Sequence, residues 1–159
     1  MNRTVGTALL VGIAAIVTLA GVAFGSSREA SASTVKVTLA PGGNNGKLTP
    51  APSITKAGQV TFIVTNQSSR PHKVGGVIEA PEGHELVVLK TTLAPGKLRL
   101  KSSGQFAVET GRVGQPVVLD PAKTATVTLN LTAGKYVLLC NLLGHYGSGQ
   151  YAAFKVIAG

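Results

Sequence analysis

Cysteine and methionine occur once each in the 159 residues, tryptophan is absent, and there are three histidines. A single cysteine excludes an internal disulfide and a binuclear copper site built on two thiolates. It also leaves no Cys-x2-Cys pair of the kind that structural zinc sites use. Three histidines are too few for a multicopper oxidase. The one methionine is Met1, so the body of the chain offers no thioether. Acidic residues are scarce as well, 6 against 15 lysines and arginines, for a net charge of +9. The lysines are dispersed from Lys36 to Lys155, without a run and without interleaved aromatics, which argues against nucleic acid as a partner. The charge then serves either solubility or the steering of an acidic protein partner. No helical period is convincing after residue 33, and no internal repeat is visible.

What is present favours a loop-rich β protein. Charged residues make up only 13%, while Gly 20 and Pro 8 accompany many Thr and Val. The length suits one domain. Residues 1–32 divide from the rest: Arg3 precedes an uncharged apolar run from Val5 to Phe24, then a small-residue linker. That is the pattern of a signal peptide, or of a membrane anchor if uncleaved, and it is expected to be helical. Ala30-Ser31-Ala32 offers a small-x-small cleavage site, set far enough from the run to favour anchoring. The domain, residues 33–159, is then expected on the outer side of the cytoplasmic membrane.

Within that domain the apolar residues alternate. Val35, Val37 and Leu39 mark one strand, and Val60, Phe62 and Val64 mark another ending at Asn66. Ala125, Val127, Leu129 and Leu131 alternate with polar residues. Short strands are expected at 54–56, 74–78, 106–109 and 116–119, a longer one at 85–91, and turns across 41–52. Lys135–Cys140 is apolar on both faces, so it should be central and covered on both sides. Residues 93–115 form a basic, glycine-bearing excursion. Strands at roughly 8–12-residue intervals with turn signals between them give an all-β sandwich.

The chemistry concentrates near the C-terminus. Cys140, His145 and Gln150 follow one another at Cys-x4-His-x4-Gln on a loop between two apolar runs. A thiolate and imidazoles suit copper or zinc, and a trigonal Cys-plus-two-His site with a weak axial Met or Gln is the blue-copper arrangement. A buried cysteine packed as a small hydrophobe is the plainer reading of Cys140. The run Leu-x-x-Gly-x-Tyr-x-x-x-Cys-Asn-x-x-Gly-His-Tyr at Leu131–Tyr146 resembles the copper loop of the cupredoxins, the plastocyanin-like blue copper proteins. Leu143 departs from the proline of many relatives, and Gln150 stands where most have methionine. The resemblance therefore narrows to variants with an axial glutamine, as in stellacyanins.

The resemblance covers most of residues 54–158. It implies a Greek-key β-sandwich, one copper ion per chain, and the ligands Cys140, His145 and Gln150. The first histidine ligand is expected to be His72, because a strand closing in Asn66 and a polar loop lead to Pro71-His72. His84, which follows the turn Pro81-Glu82-Gly83, is the alternative. Asn66 and Asn141 are candidates to pin the ligand loops. Four protein ligands leave no open position for a reaction, so the expected role is single-electron transfer between redox partners rather than catalysis. Copper delivery outside the cytoplasm and a metal-free interaction module are the other readings.

Overall fold

The computed structural model describes residues 32–40, 46–74, 77–79 and 81–159, with backbone alone at 72–74 and 77–79. The expected N-terminal signal or anchor segment lies outside the described residues.

Eleven strands form, with no helix among the described residues. They are β1 (Ser33–Leu39), β2 (Leu48–Ala51), β3 (Ile54–Lys56), β4 (Gly58–Asn66), β5 (His72–Val74), β6 (Val77–Glu79), β7 (His84–Lys90), β8 (Val117–Leu119), β9 (Thr124–Leu131), β10 (Gly134–Leu139) and β11 (Tyr151–Ile157). One sheet runs β2-β1-β4-β9 and the other β3-β11-β10-β7-β8, with β5 and β6 as a separate hairpin. The all-β sandwich expected from the alternation is what the chain builds.

Two differences have plain causes. Residues 48–51 form a strand where turns were expected, although Pro50 sits within it. β2 is the outer strand of its sheet, and an edge position tolerates proline because the missing N–H has no neighbour to serve. Residues 106–109 make only an isolated bridge, Leu100 with Ala107, rather than a strand. The backbone N–H and C=O of Ala107 are taken by the Asn141 side chain of the C-terminal loop rather than by a longer ladder.

The main core lies between the sheets. Val35, Val37, Val60, Phe62 and Val64 from one sheet meet Leu86, Val88, Tyr136, Leu138 and Phe154 from the other. β10 is the middle strand of its sheet, and its alternate residues Val137 and Leu139 face a second core with Val87, Leu89, Leu98, Ala107 and Tyr146. That is why β10 is apolar on both sides. The excursion covers its outer face through Leu98 and Ala107. Tyr146 ties that cover to the C-terminal loop, its hydroxyl accepting the Leu98 N–H at 2.9 Å.

Candidate metal centre

β10 pairs antiparallel with β7, Leu139 opposite Val87. This register brings the end of β10 beside the head of β7, so Cys140 and His84 become neighbours from distant parts of the chain. Both are fully buried. The Glu85 N–H donates to Cys140 Sγ at 3.2 Å. The third member arrives on the loop after Cys140, which is closed at its neck by Cys140 N–H to Gln150 C=O, 2.9 Å.

Inside the loop a series of turns sets the position of His145. Its N–H donates to the Leu142 carbonyl at 3.0 Å, and its own carbonyl accepts from Gln150 N–H at 3.1 Å and from Ser148 Oγ at 2.8 Å. Gly144 and Gly149 take φ of 77° and 99°, the left-handed region where a side chain is disfavoured. The loop's glycines are therefore needed to aim the histidine.

The result is a compact donor set. Cys140 Sγ lies 3.2 Å from His145 Nδ1 and 3.8 Å from His84 Nδ1. One donor atom from each of the three residues lies within 4.8 Å of the others. A metal about 2.3 Å from sulfur and about 2.0 Å from nitrogen in a trigonal plane calls for S···N separations of about 3.7 Å. One separation already meets that, and the other opens by roughly half an ångström. The two rings stand 5.0 Å apart at 59°.

Gln150 ends the loop at the same neck, its backbone carbonyl on the Cys140 N–H. It is buried, and its Oε1 has no hydrogen-bond partner among the described residues. A buried acceptor left unmet costs about 1–3 kcal/mol, so Gln150 keeps a lone pair to offer. Its amide packs on Gly46, where a Cβ would run into the glutamine side chain. The donor chemistry fits copper better than structural zinc, which takes four strong Cys or His donors.

The expected site residues are placed as follows. His84, Cys140 and His145 come together, and Gln150 sits at the neck. His72 begins β5 and pairs with Glu79 across the hairpin; its side chain lies outside the described residues. Among the described side chains, the histidine beside the thiol with His145 is His84, the alternative of the two.

Burial pushes the Cys140 thiol up to about 11, against the opposing pull of the Leu142 and Glu85 backbone N–H groups. The Glu85 carboxylate accepts the Asn141 N–H at 3.1 Å, and burial raises its pKa, partly countered by that bond. Asn141 fastens the loop to the excursion, accepting Ala107 N–H at 2.7 Å and donating to Glu109 Oε1 at 2.7 Å. Asn66 pins the other side, its amide reaching the carbonyls of Glu82, Leu119 and Asp120. Sequence reasoning missed Glu82 and Glu85, though a signal was there: two of only six acidic residues flank His84.

Sequence comparison finds no matching family model and no significant match among the curated proteins. Solved structures do match. A dithionite-reduced auracyanin from the photosynthetic bacterium Roseiflexus castenholzii aligns with TM-score 0.50 at 22% identity, over 79% of this chain and 98% of that one. Auracyanin B aligns with TM-score 0.51 at 18% identity, over 79% and 89%. Rusticyanin from Thiobacillus ferrooxidans aligns with TM-score 0.53 at 18% identity, over 80% and 79%. The chain has the cupredoxin fold that its loop motif implied.

Proposed function

We propose that this chain is a type 1 copper protein that carries single electrons between redox partners outside the cytoplasm. The observation that carries this reading is the convergence of Cys140 Sγ and two imidazole Nδ1 atoms at the end of the sandwich. Among the structural neighbours, rusticyanin is described as a copper protein. In the proposed site His84, Cys140 and His145 hold the copper, and Gln150 supplies the weak axial oxygen. Bound there, the metal would supply one-electron redox chemistry. The chain's part is to hold the donors still: the strand ladder fixes His84 and Cys140, and the closed loop fixes His145. Donors that move little between oxidation states keep reorganisation small.

His145 is the proposed electron edge. Its side chain is 17% exposed, against 0% for His84. Leu143 stands exposed nearby and gives an apolar contact for a partner, while the net charge of +9 favours an acidic one. Copper delivery is the weaker reading, because two of the three donors are fully buried and release would have to open the end of the sandwich. The N-terminal apolar run supports export or anchoring at the outer face of the membrane.

Cu(II) added to the protein is expected to give an intense thiolate-to-copper band in the visible, and Cys140→Ser to abolish it. A colourless Cu(II) complex of the wild type would sink the proposal. The Cys140 pKa of about 11 adds a second expectation. The metal-free protein holds a thiol at neutral pH, so copper uptake must release that proton. Lower pH means more competition from the proton, hence weaker binding. Apparent affinity, measured by competition with a chelator between pH 7 and 9, is expected to climb by at least about tenfold per pH unit. A flat profile would show that the thiolate is not a ligand.

A further inference from the structure

We propose that Glu82 is a positioning residue of the copper centre, whose single carboxylate spans the outer nitrogens of both histidine ligands and biases the site toward Cu(II). This rests on the copper reading above. Glu82 Oε1 lies 3.4 Å from His84 Nε2, and Oε2 lies 3.7 Å from His145 Nε2. Both rings turn Nδ1 toward the Cys140 sulfur, so Nε2 is the nitrogen each has left for an outer partner. One carboxylate divides its two oxygens between them. It thereby links the strand-borne histidine to the loop-borne one.

The carboxylate is held from behind. The Glu82 N–H donates to Ser68 Oγ at 3.1 Å, and the Glu82 carbonyl accepts from Asn66 Nδ2 at 3.0 Å. Asn66 Oδ1 in turn accepts the Ser68 N–H at 2.9 Å. Asn66 and Ser68 are buried at 1% and 0% exposure, so the anchor belongs to the rigid end of β4. The Glu82 side chain itself is 20% exposed, which limits screening by water and salt. At 3.4 and 3.7 Å its approaches to the two rings are electrostatic contacts rather than hydrogen bonds. A carboxylate facing the far nitrogen of a ligating imidazole orients the ring through its charge and raises its donor strength. Its negative charge also favours the more positive oxidation state. In a chain with 6 acidic residues against 15 basic ones, an anion placed here runs against the overall composition.

The test compares reduction potentials of the copper-loaded wild type, Glu82→Gln and Glu82→Asp. Glutamine keeps the shape and loses the charge; aspartate keeps the charge and loses one methylene. Glu82→Gln is expected to retain the visible band and to shift the relative affinity toward Cu(I) by at least tenfold, which is about 59 mV for one electron. Glu82→Asp is expected to move less than half as far. If the glutamine variant does not fold by circular dichroism, Glu82→Ala takes its place with the same expected direction. A potential unchanged on loss of the charge, or moved equally by aspartate, overturns the proposal. A wild type without the visible band overturns the copper reading itself, an outcome seen before any variant is made.

Discussion

His84→Ala is expected to abolish the visible copper band, while His72→Ala leaves it intact. His84 is fully buried at the head of β7, with Nδ1 3.8 Å from the Cys140 sulfur. Its removal takes one of three strong donors and leaves a hole the size of an imidazole between two ligand segments. Loss of an outer-shell partner alone costs about 10–100-fold in metal affinity, so loss of a ligand is expected to cost more. His72 belongs to the β5–β6 hairpin, a separate two-stranded unit outside both main sheets. Absorption spectra and copper titrations of the two variants decide the matter. A retained band in His84→Ala and a lost one in His72→Ala would return the first-ligand role to His72.

The difficulty with that histidine shows where sequence reasoning reaches and where it stops. Strand periodicity is a local signal, and it located β1, β4 and β9 within a residue or two, while an unbroken apolar run located β10. The C-terminal loop was legible because Cys140, His145 and Gln150 lie within eleven residues, and short spacing carries geometry. The first histidine is different. Its place depends on which strand pairs with β10, and pairing across about fifty residues leaves no local mark. Asn66 drew attention to the end of β4, and it does pin the site, but through the carbonyls of Glu82, Leu119 and Asp120 rather than by leading straight to a ligand. β4 lies in the opposite sheet from β10, so the chain must first cross over. It makes the β5–β6 hairpin on the way, and only then supplies His84 at the head of the strand that neighbours Cys140. Residues 93–115 were legible as an excursion, yet their task of sealing the outer face of β10 could be read only once Leu98, Ala107 and Tyr146 were seen packed together.

Gln150→Met is expected to raise the reduction potential of the copper-loaded protein while leaving fold and visible band in place. An amide oxygen is a harder donor than a thioether, so it favours Cu(II), and the axial ligand is one of the main means by which such sites set their potential. Gln150 is seated for that role: it is buried, its Oε1 has no hydrogen-bond partner among the described residues, and its backbone closes the loop on Cys140 at 2.9 Å. Methionine is close to glutamine in length and leaves that backbone closure untouched. The surroundings of the sulfur, including the Glu85 N–H at 3.2 Å, should also stay as they are, so the comparison isolates the axial donor. Each tenfold shift in relative affinity toward Cu(I) would appear as about 59 mV. The seat itself can be probed at Gly46, where an added Cβ would collide with the glutamine amide. Gly46→Ala is expected to displace that side chain and to move the potential in the same direction as Gln150→Met. A potential that stays put in both variants would show that Gln150 gives the copper no bond, and that its buried oxygen is met in some other way.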